Sequence, residues 1–248
     1  MNILICNDDG IMSKGIVSVA KRLAVSHNVL VVAPDGNRSA ASHSLTISST
    51  IKMKECFHID RCKAYALSGT PADCVKFAEL FFKGFKADIV VSGINKGHNI
   101  GSDILYSATV STAIEAAFFE KIAFAFSAFS LGESDFDTYA RYAENIIYSL
   151  LPISKIGDIW NVNFPDPSLG EIKGVKFTKL GKQLYSDRYE KVSENEYRLV
   201  GELIDHNQND ADCDIEWSKK GYITITPILL NKTNHKRIKE VKDICVKL

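Results

Sequence analysis

Short apolar runs alternate with helical patterns through the first 165 residues. Residues 2–6 (NILIC) and 28–33 (NVLVVA) are continuous apolar stretches of strand length. DIVVS at 88–92, IAFAFS at 122–127 and IWNVN at 159–163 repeat that pattern. Between them, residues 14–26 place Ile16, Val19, Ala20, Leu23 and Ala24 at helical spacing. Residues 72–83 predict a second helix, with Thr70 as N-cap and Pro71 at its first position. Residues 109–120 and 136–150 predict two more. Apolar strands without polar alternation, separated by helices, predict an α/β fold with a mostly parallel sheet covered on both faces. Phe77, Phe81, Phe82, Phe118 and Phe119 fall at helical spacing and are expected in the core.

The pattern changes after residue 165. Residues 166–221 are polar and turn-rich, with short strand candidates. GYITITPILL at 221–230 predicts one more strand, returning to or near the core. Residues 234–246 predict a final amphipathic segment. The expected organisation is a core over 1–165 and an extension of hairpins and tail over 166–248. No internal repeat or low-complexity tract interrupts it.

Composition narrows the function classes. Of 248 residues, 30 are Lys or Arg and 30 are Asp or Glu, so the formal net charge is zero. That balance offers no clustered basic surface for a nucleic-acid duplex or a membrane. The basic run over 232–247 reads as a solvated helix face. No stretch reaches the ~18 apolar residues of a membrane span. The chain opens directly on a strand, without the pattern of a secretory leader. Cysteines at 6, 56, 62, 74, 213 and 245 form no C-x-x-C pair and no zinc-site spacing. Cys6 and Cys74 lie in apolar stretches and read as small buried hydrophobes. A reducing, cytoplasmic setting is expected.

Three polar loops follow predicted strands, where open parallel sheets place their ligands. The first is N-D-D-G at 7–10. Adjacent carboxylates repel unless a cation or proton lies between them, and a hard divalent ion accepts such ligands. Asp8 or Asp9 could equally cap the next helix or shape the turn at Gly10. The second is P-D-G-N-R-S-A-A-S-H-S at 34–44. Its amide at Asn37, guanidinium at Arg38 and hydroxyl at Ser39 suit a phosphate, although an ordinary turn has the same composition. The third, S-G-I-N-K-G-H-N-I-G-S-D at 92–103, is the most specific. Glycines at 93, 97 and 101 permit close backbone approach to a ligand. Asn95 and Asn99 offer amides. Ser107 and Thr109, in Y-S-A-T-V-S-T at 106–112, open a helix whose N-terminus favours phosphate.

These loops fit neither the P-loop nor the dinucleotide fingerprint, since no G-K-[ST] or G-x-G-x-x-G occurs in them. Either His43 or His98 could donate a proton to a leaving group, or simply hydrogen-bond at the surface. His27, His58 and His206 have no such setting. Together the loops fit a metal–phosphate site. A nucleotide or phosphate sensor without turnover is the alternative. The acidic pair argues against it, because two carboxylates facing an anion help only with a cation between them. A phosphatase of the haloacid dehalogenase type wants D-x-D after the first strand, and this chain has D-D-G.

In this combination the residues resemble the stationary-phase survival protein SurE family of 5′(3′)-nucleotidases. The matching segments are N-D-D-G at 7–10, V-V-A-P-D-G-N-R-S-A-A-S-H-S-L-T at 31–46 and G-T-P-A-D-C-V at 69–75. V-S-G-I-N-K-G-H-N-I-G-S-D at 91–103 and Y-S-A-T-V at 106–110 follow in order, with N-V-N-F-P at 161–165 and G-Y-I-T-I-T-P-I at 221–228 later. The resemblance implies a Rossmann-like core and a C-terminal hairpin and tail exchanged between subunits of a homodimer or homotetramer. It implies one divalent ion per subunit, Mg²⁺ or Mn²⁺, held by Asp8, Asp9, Ser39 and Asn95. It implies hydrolysis of nucleoside 5′-monophosphates, with 3′-monophosphates and short polyphosphate as further substrates in some members. Asp8, Asp9, Asn95 and Ser107 are then the catalytic set. Asn37, Ser39, Gly97, Asn99, Ser107 and Thr109 are the phosphate or substrate contacts. Two departures stand out: Ala108 replaces a usual glycine, and Asn231 stands where an acid is usual four residues before His235. Asp212 is retained.

Overall fold

The computed structural model describes residues 1–57, 59–129, 135–205 and 210–241. Its first strand shows how the sheet is built. Strand β1 (Asn2–Cys6) sends Ile3 and Ile5 to one face and Leu4 and Cys6 to the other, since successive side chains alternate. All four are buried, in two separate clusters. This is why the strand reads as unbroken apolar sequence. Strands β2 (Asn28–Pro34), β3 (Met53–Cys56), β4 (Lys63–Leu67), β5 (Ile89–Lys96), β6 (Ile122–Ala128) and β7 (Ile159–Phe164) follow. The later strands are β8 (Val175–Phe177), β9 (Gln183–Tyr185), β10 (Arg188–Lys191), β11 (Tyr197–Val200), β12 (Leu203–Asp205) and β13 (Ile223–Ile228).

Nine of these form one sheet in the order β3-β4-β2-β1-β5-β6-β7-β13-β8. The six strands from β4 to β7 in that order run parallel. At the edges β3 opposes β4, and β13 opposes β7 while running parallel to β8. Helices α1 (Lys14–Leu23), α2 (Pro71–Phe81), α3 (Ala108–Phe118) and α4 (Asp135–Leu150) cover it. Ile16, Val19, Tyr139 and Ile147 of α1 and α4 fill the cluster of Ile3 and Ile5. Cys74, Val75, Val110 and Ile114 of α2 and α3 fill that of Leu4 and Cys6. Helix α2 starts as its sequence requires, with Thr70 and Asp73 in a reciprocal capping box and Pro71 in the first turn.

From β1 the chain winds outward through β2 to β4, then returns to β5 and winds the other way to β7. The order therefore reverses between β1 and β5, and a crevice opens beyond their carboxyl ends. Beyond β7, β9 pairs with β12 and β10 with β11, both antiparallel. Helices α5 (Asp214–Lys219) and α6 (His235–Val241) flank β13.

Several expectations shift. The predicted strand over 221–230 narrows to Ile223–Ile228. Residues 53–67, assigned nothing from sequence, hold β3 and β4. Their polar and charged positions are exposed at a sheet edge, and only Ala64, Ala66 and Leu67 of β4 are fully buried. Phe81 and Phe118 are not core; they are 56% and 61% exposed, because α2 and α3 end as they clear the sheet. His58, His206, Cys245 and residues 242–246 lie outside the described residues.

Candidate active site

The turn after β1 is held by Asn7, whose amide Nδ2 donates to the Gly10 carbonyl at 3.0 Å and to Ser13 Oγ at 2.7 Å. Gly10 has φ +95°, and a Cβ there would meet the Gly36 backbone at 3.0 Å, so glycine is required. Ser13 occupies the N-cap position of α1. Neither Asp8 nor Asp9 caps that helix, which removes the capping reading of the pair. Asp8 is 4% exposed. Its Oδ1 accepts a hydrogen bond from Thr109 Oγ1 at 2.6 Å. Burial pushes its carboxyl up to about 6; the Thr109 bond opposes this and the Asp9 charge adds to it. Burial also raises Asp9, against the Lys96 N–H that donates to its Oδ2 at 3.2 Å.

The loop after β2 is fastened to this turn. The Arg38 N–H donates to the Asp8 carbonyl at 2.7 Å, and the Ser39 N–H donates to Asn37 Oδ1 at 2.7 Å. Ser42 Oγ donates to the Leu105 carbonyl at 2.9 Å, tying the same loop to the segment before α3. Strand β5 shifts register between Ser92 and Asn95. Gly93 sits there with φ +117°, and a Cβ would collide with the Phe126 carbonyl. Such an irregularity re-aims the next side chain. Asn95 Nδ2 donates to the Gly97 carbonyl at 2.9 Å, which leaves its amide oxygen for a ligand.

Asp8, Ser39, Asn95, Gly97, Asn99 and Ser107 line one cleft of about 340 Å³. Asp9, Asn37 and Thr109 do not line it. Thr109, expected at the phosphate, is fully buried and commits its hydroxyl to Asp8. Asn37 orients Ser39. Asn99 reaches the cleft, but its Nδ2 donates to Ser127 Oγ at 2.7 Å. Its backbone is gripped by the N-V-N stretch: its N–H donates to Asn163 Oδ1 at 2.8 Å, and its carbonyl accepts from Asn161 at 2.8 Å and Asn163 at 3.1 Å. Ser107 Oγ accepts the Val110 N–H at 3.1 Å and caps α3, whose N-terminus opens on the cleft. Ala108 begins α3 without a left-handed backbone, so no glycine is needed there. Asn231 Nδ2 lies 3.4 Å from His235 Nε2, an amide in place of an acid–base pair.

Each of the two histidines already has a hydrogen-bond partner. His43 Nε2 lies 2.8 Å from the buried carboxylate of Glu115. His98 Nε2 donates to the Phe164 carbonyl at 2.7 Å, and burial lowers its pKa. The reading from sequence missed Lys96, Asp103, Tyr106 and Tyr185, which also line the cleft. Asp103 sits inside the glycine loop and was legible as a polar neighbour. Tyr185 comes from a segment without pattern.

Among the described residues no group of three or more His, Cys, Asp or Glu side chains could hold a metal. The oxygen donors at and beside the cleft are the carboxylates of Asp8 and Asp9 and the neutral oxygens of Ser39 and Asn95. An all-oxygen set with two carboxylates, one pushed to a high pKa by burial, fits a hard divalent ion. Among the described residues no helix is long and apolar enough to cross a membrane.

Comparison with known proteins agrees with this layout. The chain is similar to the 5′-nucleotidase SurE of Kosmotoga olearia, 40% identical with 98% of each chain covered. It is also 40% identical to that of Clostridium botulinum, covering 98% of this chain and 99% of the other. The crystal structure of the SurE protein from Aquifex aeolicus superposes with a TM-score of 0.83 at 35% identity, covering 98% of each chain. The profile described as Survival protein SurE matches residues 3–187, and this chain belongs to that family.

Proposed function

We propose that the chain is a 5′-nucleotidase that hydrolyses nucleoside monophosphates to nucleoside and phosphate with a divalent cation. One observation carries this reading: the buried Asp8 carboxylate, a hydroxyl and an amide oxygen line one cleft at the β1–β5 crevice, with the half-buried Asp9 next to Asp8 and the N-terminus of α3 alongside. Asp8, Asp9, Ser39 and Asn95 would hold the cation. When bound, Mg²⁺ or Mn²⁺ supplies positive charge to the phosphoryl oxygens at a centre that otherwise repels them.

The chain's own residues do the rest. Thr109 fixes one oxygen of Asp8, so the other is presented to the cleft in one orientation. Asn37 and the Arg38 N–H fix the position of Ser39 against Asp8. The N–H groups at the start of α3, with Ser107, face the remaining phosphoryl oxygens, while the Gly97 N–H is taken by the Ala128 carbonyl at 2.8 Å. Asp8 is placed either to orient an attacking water or to attack phosphorus itself. Acid-quenched protein carrying phosphate on Asp8 would decide for direct attack.

The test measures phosphate release from nucleoside 5′- and 3′-monophosphates, short polyphosphate and p-nitrophenyl phosphate. Each is assayed with Mg²⁺, with Mn²⁺ and after chelation. Release from 5′-monophosphates that disappears on chelation is expected. Full activity of metal-free protein would remove the cation from the reading, and no release from any nucleotide would remove the nucleotidase. The β10–β11 hairpin exposes Tyr189, Tyr197 and Leu199. These support its use in a homodimer or homotetramer, which sedimentation measures directly. The free cysteines among the described residues support a reducing, cytoplasmic setting.

A further inference from the structure

The cleft is poor in positive charge. Asp8 and Asp103 line it, and Asp9 adjoins Asp8. His98 also lines it, but burial lowers its pKa and so favours the neutral ring. Arg38, in the neighbouring loop, pairs with Asp35 at 3.0 Å. Lys96 is the one lysine or arginine among the described residues of the lining.

Lys96 ends strand β5, directly after Asn95. Its backbone is fixed on two sides. Its N–H donates to Asp9 Oδ2 at 3.2 Å, and the residue stands in register with Ala128 of β6. The side chain is exposed, and among the described residues its ammonium makes no hydrogen bond or ion pair. Its charge still reaches Asp9, where it opposes the rise that burial causes.

A charge count shows what this ammonium is for. A divalent cation cancels the charges of Asp8 and Asp9, so the loaded centre is neutral. A phosphate monoester brings about −1.5 to −2 at neutral pH. The N-terminus of α3 offers roughly half a positive charge. Asp103 adds a negative one, softened by the Tyr185 hydroxyl at 2.6 Å and the Gln183 amide at 2.8 Å. Only Lys96 supplies a further full positive charge.

We propose that the Lys96 ammonium binds the phosphoryl group of the substrate, as a charge partner separate from the cation. The inference rests on the nucleotidase reading and adds a residue to its phosphate contacts. The same charge repels a cation held at Asp9. Removing it therefore weakens phosphate binding and strengthens cation binding, whereas damage to the site weakens both.

The test uses Lys96→Met, which keeps an unbranched apolar stem without the charge, and Lys96→Arg, which keeps the charge. Calorimetry measures the Kd of Mg²⁺, and then the Kd of inorganic phosphate with Mg²⁺ saturating; kinetics give kcat and KM for AMP. Lys96→Met should raise the phosphate Kd and the KM about ten- to a hundredfold, the loss expected for a charge-assisted hydrogen bond. It should tighten Mg²⁺ about two- to fivefold. Lys96→Arg should restore most of both. Phosphate binding unchanged in Lys96→Met would make Lys96 a neighbour of Asp9 alone and overturn the proposal. Weakening of Mg²⁺ and phosphate together would assign a structural role and overturn it too. Wild type that binds phosphate through Lys96 but releases none from AMP would support the Lys96 site and overturn the nucleotidase reading.

Discussion

The two sides of the cleft are built on different foundations. One side, carrying Asp8, Asn95 and Ser107, grows from β1, β5 and α3. Those elements are packed into the two main cores, which hold Ile3, Ile5, Val91, Leu4, Val110 and many others. The other side, carrying Gln183, Tyr185 and Asp214, comes from the polar segment after β7. Behind it lies a cluster of only Ile100, Cys213 and Ile215 among the described residues. It is joined to the first side by hydrogen bonds more than by apolar burial. The proposed cation ligands Asp8 and Asn95 therefore sit on the well-packed side, and the side with less apolar support is the freer to move.

The contrast is broken most severely at Asp8. Asp8→Asn keeps the shape and the Thr109 contact but removes the charge that would hold a cation. Phosphate release should fall on the order of 10³-fold or more, with the circular dichroism spectrum unchanged. A variant retaining a tenth of wild-type turnover would show that the packed side is not where the chemistry lies.

Without a cation, the same substitution should raise stability. The folded-state pKa of Asp8, about 6, lies above its ordinary 3.8. The folded protein therefore binds this proton more tightly than the unfolded chain does. The contribution of Asp8 to stability is full below pH 3.8, falls as pH rises, and is lost above pH 6. The loss amounts to about 3 kcal/mol. Denaturation in chelator should show wild type losing that much relative to Asp8→Asn between pH 4 and 7. Mg²⁺ or Mn²⁺ should raise the wild-type Tm well above any rise in the variant. Parallel pH curves for the two proteins would contradict the buried-charge account.

The same contrast explains what the sequence made legible. The packed side was readable because both supports of each functional residue are local. The strand is an apolar run, and the ligand residue follows it within a few positions, as Asp8 follows NILIC and Asn95 follows DIVVS. What local sequence hides is the partner. Thr109 and Asp8 are 101 residues apart, so Thr109 was placed at the phosphate instead of behind the carboxylate. Asn99 reaches the cleft, but the groups that hold it there, Ser127 and the N-V-N stretch, lie 28 to 64 residues away. On the other side nothing periodic marks Gln183 or Tyr185. Their roles arise from contacts across 80 and 82 residues. The strand β4 is hard to read for a related reason: its buried positions are two alanines and Leu67 in the short run K-A-Y-A-L, one strand in from the edge.

Thr109→Val sharpens the comparison within the packed side. It preserves volume and removes only the hydroxyl that orients Asp8. Loss of such a supporting hydrogen bond should lower activity or cation affinity about 10- to 100-fold. Thr109→Ser, which restores the donor, should recover most of it. If serine and valine behave alike, the hydroxyl does not position Asp8.

The smallest effect is expected at Asp214, the hinge between the two sides. This carboxylate is fully buried. Its Oδ2 accepts the Gly101 N–H at 2.8 Å and its Oδ1 the Gly181 N–H at 2.7 Å, so one side chain clasps the glycine loop to the later segment. Burial raises its pKa against the N–H groups that oppose the rise. Asp214→Asn relieves the buried charge but turns an amide NH₂ toward one of those donors. The two effects oppose each other, leaving a net loss of about 1–2 kcal/mol in chemical denaturation. The informative readout compares substrate with cation. Loosening Gly181 displaces Gln183, two residues on, and with it the grip on Asp103 in the cleft. It leaves Asp8 and Asn95 on their strands. KM for AMP should therefore rise, while the affinity for Mg²⁺ changes less than threefold by rough expectation. Equal loss of both would mean that the two sides of the cleft move as one body, and the difference in their foundations would then carry no functional meaning.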